Sequence, residues 1–272
     1  MLFADLDLAR RLELADAAKH IDYAEARAKL LGTGCCAWER IDGGYAIFAG
    51  LDNPYSRVVG LGLDGPVSEA EFEQCEAFYR RRGAQPAFSL CPLADPTLLE
   101  RLNHRGYQVE MFMHVWYRPL VSGETFPAPP SGITVRAIEP EEADLWTLVA
   151  FRGGLDSDEA LPNAGVIIAP YPFVAQARCW LAWHDGEPAG AATLAIHDGV
   201  AGLFGASTRV PHRNRGVQHT LIAARLAAAA ADGCDLATVH TEPGSDSQRN
   251  VERLGFRLAY TQVTMVRGDL IN

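Results

Sequence analysis

The chain repeats itself, and the repeat constrains its fold more than any single motif does. Arg105-Gly106-Tyr107 opens a strand-like run ending at Arg118, and Leu254-Gly255-Phe256 opens another ending at Arg267; the two runs are offset by 149 residues at both ends. The same offset carries the apolar run around Phe88 and Leu90 onto Ala237 and Val239. It also places the helix start at Asp95-Pro96, a cap followed by proline at the first helical position, beside Gly244 and Ser245. Agreement along several elements points to two copies of one fold. Between them, Pro119 to Gly132 (PLVSGETFPAPPSG) holds four prolines and two glycines, which leaves little room for a regular element. The expected organisation is a first domain over 1–120, a linker over 121–132 and a second domain over 133–272, and 272 residues suit two domains of ordinary size.

In the second copy, Ile133 to Ala137 reads as a strand and Glu141 to Phe151 as a helix. Gly153 to Ala175, broken by Pro162, Gly165, Pro170 and Pro172, reads as a loop or interrupted helix. Cys179 to His184 and Ala189 to Ile196 form a hairpin across Asp185-Gly186-Glu187-Pro188, and a further strand follows Asp198-Gly199. Then comes Arg213-Asn214-Arg215-Gly216-Val217-Gln218, set between the strand-like Ala201 to Thr208 and the Ala/Leu-rich helix Val217 to Ala231. This is an anion cradle. The first amides of a helix have no partner within it, the helix dipole favours negative charge, Gly216 lets the backbone approach a ligand, and two arginines add charge-assisted hydrogen bonds. Asp235 to Thr241 gives another strand, Pro243-Gly244 breaks it, and Ser245 with Gln248 has the form of a capping box opening a short helix; Arg257 to Arg267 is the last strand.

The order of cradle, long helix, strand, short helix, Leu-Gly-Phe and strand resembles the GCN5-related N-acetyltransferase (GNAT) family, over roughly Ile133 to Arg267. Its Q/R-x-x-G-x-G/A signature falls on Arg213, Gly216 and Gln218, the last of which departs from the pattern. The resemblance implies an α/β (α+β) fold with two GNAT-like domains, each a mixed, mostly antiparallel sheet flanked by helices. It implies acetyl-CoA (coenzyme A) as cosubstrate. The cofactor would lie along Ser207, Thr208, Arg209 and Val210 as an added strand. Its pyrophosphate would sit on Arg213, Asn214, Arg215, Gly216, Val217 and Gln218, with Ser247 and Asn250 touching the remainder. A backbone N–H near Thr208 would polarise the thioester carbonyl. The loop over 153–175 would lie above the acceptor. In the first copy the offset brings Asp64-Gly65-Pro66-Val67-Ser68-Glu69 onto the cradle, where two carboxylates and a proline repel a diphosphate. That copy is expected to bind no CoA in this way.

Presenting an alkylamine neutral at pH 7 costs about three pKa units, roughly 4 kcal/mol, so a base is useful. Glu242 is the first candidate and His240, two residues earlier on the same strand, the second. Many relatives carry a tyrosine acid where this chain has Val251; Tyr260 is a possible substitute. A thiolate leaving group is tolerable without one. His212 and His219 read as a loop residue and a helix-surface residue.

Composition narrows the partners. A net charge of −10 argues against nucleic acid and tolerates a cationic amine acceptor, whether small molecule or peptide. No apolar run reaches the length of a membrane span, and the opening MLFADLDLARRLEL lacks a signal peptide's apolar segment, so a cytoplasmic monomer or homodimer is expected. Six cysteines show no C-x-x-C spacing, and with the histidines no zinc spacing, which favours structural thiols and no metal. Two rival readings stay open: a non-catalytic acyl-CoA-binding or sensor protein, and an interaction protein whose arginines form surface pairs.

Overall fold

A computed structural model describes residues 3–32, 34–154 and 164–267. The chain divides into two compact units. The first comprises Met1–Trp116, Thr241–Ser245 and Leu258–Asn272, and the second Tyr117–His240 and Asp246–Arg257. The last strand therefore groups with the N-terminal copy, although the repeat had assigned it to the C-terminal one.

Chain order in the first part is α1 (Leu6–Leu31), β1 (Ala37–Ile41), β2 (Gly44–Phe48), β3 (Arg57–Val59), α2 (Glu69–Arg80), β4 (Phe88–Leu90), α3 (Pro96–His104) and β5 (Tyr107–Pro119). It continues with β6 (Ile133–Ala137), α4 (Ala143–Gly154), α5 (Ala164–Ile168), β7 (Ala177–His184), β8 (Glu187–His197) and β9 (Val200–Thr208). α6 (Val217–Ala231), β10 (Leu236–Thr241), α7 (Asp246–Arg253) and β11 (Arg257–Arg267) complete it. No described helix is long and apolar enough to cross a membrane.

Local chemistry starts the helices of unit 1. Asp5 accepts from the Leu8 amide, Ser68 and Glu71 form a reciprocal capping box, and Asp95 accepts from the Thr97 amide ahead of Pro96. The strands run β1-β2-β3-β4-β11-β5. β1–β2, β2–β3 and β4–β11 pair antiparallel and β3–β4 parallel, and β11 meets β4 through Val263↔Leu90, Thr264↔Ser89 and Met265↔Phe88. Phe88 and Met265 pack with Phe72, Phe78, Leu98 and Leu102 in an apolar core under α2 and α3. Alternation along a strand then turns Tyr260, Gln262 and Thr264 to the opposite face, where α1 lies. There Glu13 of α1, only 1% exposed, accepts from Tyr260 Oη at 2.8 Å and from Gln262 Nε2 at 2.8 and 3.1 Å.

In unit 2 the order is β10-β9-β8-β7-β6, with only the β9–β10 pair parallel. Both hairpin turns place an Asp-Gly pair at positive φ, Asp185-Gly186 and Asp198-Gly199, as two-residue hairpins of the right twist require. Ser207 turns its hydroxyl to the Ala150 carbonyl of α4, whereas Thr208 faces Gln218 of α6, so the two helices cover opposite faces. Val217 and Leu221 of α6 pack on Ile133, Ala182, Ala189 and Ala192. The mixed, mostly antiparallel sheet with flanking helices is thus observed in each unit.

Candidate active site

The parallel pairing of β9 with β10 runs from Val200↔Leu236 to Leu203↔Val239, and both strands continue beyond it. The reason lies on the other side of β9. Between Thr193↔Phe204 and Ala191↔Ser207, β9 takes one residue more than β8, a bulge. Gly205 occupies it with φ +55, and a Cβ there would come within 2.6 Å of the Tyr171 ring. Tyr171 in turn stacks edge-on against Phe204, with ring centroids 5.4 Å apart. A bulge bends its strand, and here it turns the end of β9 away from β10. Arg209 N–H donates to the Ala189 carbonyl, so the amide of Thr208, one residue earlier, points to the β10 side.

Beyond β9 a 3-10 turn over Val210–His212 leads to the cradle. Asn214 (φ +60) and Gly216 (φ +90) are both left-handed, and Gly216 is the residue from which α6 starts. α6 has no side-chain cap and no acidic residue in its first turn, unlike α2, whose first turn holds Glu69 and Glu71. The amides of Val217, Gln218 and His219 precede the first intrahelical acceptor, and the first helical bond runs from Thr220 N to Gly216 O. These donors, with the helix dipole behind them, fit an anion. Arg215 and Asn214 are exposed beside them.

Three expectations for the cradle change. A Cβ at Gly216 would lie 2.9 Å from Pro130 Cγ, so the glycine makes room for the linker proline as well as the left-handed turn. Arg213 folds inward: its Nε donates to the Thr208 carbonyl and Nη2 to the Gly153 carbonyl, each at 3.2 Å. Its guanidinium ties the cradle loop to β9 and α4. Gln218, the departure from the signature, is turned aside to Thr208 Oγ1 at 3.4 Å.

His240 stands on β10 just past the last paired residue and is half-buried. Glu242 is exposed and falls in unit 1; its carbonyl accepts from Ser245 Oγ at 2.7 Å. Gln248 Nε2 donates to Glu252 Oε1 at 3.0 Å along the face of α7. Ser247 is exposed and Asn250 half-buried on α7, which packs against α6. Val251 is 1% exposed and serves the core. Tyr260 is buried in unit 1, its hydroxyl donates to Glu13, and burial pushes its pKa well above the ordinary value. His212 lies in the connection between β9 and α6, as expected, but is buried there. It is 6% exposed, its Nδ1 lies 3.4 Å from Nδ1 of His184, and burial lowers its pKa. The expected loop over 153–175 falls partly outside the described residues, at 155–163. Among the described residues no group of His, Cys, Asp or Glu could hold a metal ion.

In unit 1 the corresponding helix start is closed by its own side chains. Ser68 and Glu71 cap α2, and Glu69 is ion-paired with Arg101 and Arg105 of α3.

The acetyltransferase (GNAT) family model matches residues 148–256. Comparison with curated proteins gives no match. Among solved structures the chain is similar to a GCN5-related N-acetyltransferase from Kribbella flavida, with 21% identity, 91% of this chain and 96% of that one covered, and a TM-score of 0.62. It is also similar to a tandem GNAT protein from the clavulanic acid biosynthesis pathway, with 15% identity, coverage of 97% and 96%, and a TM-score of 0.58. A GCN5-related N-acetyltransferase from Sphaerobacter thermophilus aligns at 16% identity over 73% of this chain and 66% of that one, with a TM-score of 0.55. At such identities the likeness is one of fold, and it extends over both units. The segment 148–256 thus matches the acetyltransferase (GNAT) family model, and the chain as a whole shares its fold with a tandem GNAT protein.

Proposed function

We propose that this chain is an N-acetyltransferase that passes an acetyl group from acetyl-CoA directly to an amine acceptor, and that unit 2 holds the cosubstrate. The observation that carries the reading is the uncapped N-terminus of α6, free of carboxylates, at the end of a strand that a bulge has turned from its neighbour. The amides of residues 217–219 and the Arg215 guanidinium would hold the diphosphate, and Ser207 to Val210 the pantetheine amides. Ser247 and Asn250 would meet the rest. Arg213 is a positioning residue here, because its donors hold the loop to β9 and α4.

Acetyl-CoA supplies an acyl group on a thiol leaving group. The Thr208 amide would stabilise negative charge developing on the acyl oxygen. His240, in the same unit as the cradle, would take the proton from the acceptor amine, directly or through water. Tyr260 has no part, since its proton is shared with Glu13.

Thermal unfolding with saturating acetyl-CoA, against ATP as an anion control, tests the cosubstrate. Ligand at a hundred times its Kd adds about 2.7 kcal/mol, enough to raise the midpoint by several degrees. Arg215→Glu should weaken binding about tenfold or more, as expected for losing a hydrogen bond to a charged group; unchanged affinity would refute the cradle. A second reading, a non-catalytic acyl-CoA-binding protein, is favoured by the apolar Val251 at the acid's position. It predicts the thermal shift but no thiol release with any amine.

A further inference from the structure

Cys35 and Cys36 stand apart from the other cysteines. Cys75, Cys91, Cys179 and Cys234 are buried, whereas these two are half-exposed and adjacent in the chain, with Sγ atoms 3.4 Å apart. They lie between α1 and β1. Cys35 Sγ donates to the Gly32 carbonyl at 3.2 Å, and Gly32 caps the end of α1. Cys36 Sγ lies 3.9 Å from Arg27 Nη1, which also donates to the Ala49 carbonyl at 2.8 Å. Gly32 and Gly34, at φ +100 and +98, have nothing within 4 Å of where a Cβ would be.

We propose that Cys35 and Cys36 form a reversible vicinal disulfide, a redox-sensitive site of unit 1 that is independent of the acetyl-CoA cradle. The oxidant is hydrogen peroxide. The Cys35 thiolate attacks one peroxide oxygen, the O–O bond breaks, and the departing oxygen takes a proton and leaves as water, leaving a sulfenic acid. The sulfur of Cys36 then displaces hydroxide from the Cys35 sulfur, the thiol proton joins it, and a second water leaves. Two thiols lose two electrons and two protons, and the peroxide is reduced to two waters. Burial and the neighbouring Cys35 push the Cys36 thiol up to about 11, which makes it the resolving rather than the attacking sulfur.

Geometry makes the product labile. Adjacent residues have Cα atoms about 3.8 Å apart across a trans peptide, closer than the roughly 4.4–6.8 Å that an ordinary disulfide spans. A ring closed at that distance is strained, and strained disulfides reopen readily with small thiols. Closure also withdraws the Cys35 thiol from the last turn of α1.

The test uses the full-length protein. A thiol-reactive maleimide applied to the native state should label these two cysteines and spare the four buried ones. After brief exposure to hydrogen peroxide and digestion with trypsin, the peptide Leu30 to Arg40 (LLGTGCCAWER) contains both sulfurs and no other cysteine. Its mass should fall by two hydrogens, native labelling should vanish, and dithiothreitol should restore both. Cys35→Ser and Cys36→Ser, each treated with peroxide and glutathione, should instead retain a stable mixed disulfide at the remaining thiol. An unmodified dithiol, a sulfinic acid without ring closure, or a stable glutathione adduct on the wild-type peptide would each overturn the proposal.

Discussion

Glu13 should make the stability of this protein depend on pH in a direction opposite to that of most carboxylates. Burial pushes its pKa up from 4.5 to about 7, Asp16 on the next turn of α1 pushes the same way, and the donors Tyr260 and Gln262, with Lys19, oppose them. A shift of about 2.5 units corresponds to about 3 kcal/mol. For a folded pKa above the unfolded one, the native state binds the extra proton between the two values. The stabilisation is complete below pH 4.5, is lost as pH rises through 7, and is absent above it. His20, on the same helix, acts inversely. Burial lowers its pKa from 6.5 to about 3, so below pH 6.5 the unfolded state gains a proton that the native state refuses, and stability falls toward acid. Between pH 4.5 and 6.5 the two slopes oppose each other in the wild type. Glu13→Gln removes one of them while keeping an acceptor for the Tyr260 hydroxyl. Urea unfolding by circular dichroism, from pH 4.5 to 8, should find the variant near wild-type stability at the acid end and more stable by about 3 kcal/mol at pH 8. Parallel curves for the two proteins would refute the reasoning, because they would mean that Glu13 titrates alike folded and unfolded.

Other outcomes follow from the same geometry. Gly216→Ala must hold a Cβ at φ +90 against Pro130, and should lose about 1–3 kcal/mol together with acetyl-CoA affinity, read from thermal melts with and without ligand. Gly205→Val meets the Tyr171 ring and a positive φ, so it should flatten the bulge and lower acetyl-CoA affinity more than it lowers the unfolding midpoint; a loss of midpoint alone would contradict the bulge's role. A chain ended at Phe256 removes β11, the partner of β4, and strips Glu13 of both donors. It should fail to give a cooperative melt for unit 1, and an intact melt would show that β11 is dispensable there.

Helices and turns were legible because their signals are local. The span of α6, the Asp-Pro start of α3, and the Asp-Gly pairs of the two hairpins are set by residues within a few positions of one another, and the structure repeats them. The left-handed Gly216 before α6 was legible for the same reason, since the glycine and the helix start adjoin in sequence. What each cradle side chain does was not: Arg213 spends its donors on Gly153, 60 residues away, and Gly216 yields to Pro130. The burial of His212 was not legible either, since His184, which lies 3.4 Å from it, is 28 residues off. Tyr260 was misread because Glu13, its partner, is 247 positions earlier.

The sequence by itself determined the elements and their twofold repetition, since caps, glycines and apolar spacing act over a single turn or hairpin. Only the tertiary structure decided that the last strand pairs with β4 of the first copy and that Glu13 is sealed beneath it. Strand partners and buried charges are chosen by which surfaces exclude water together, and that choice is made across the whole chain.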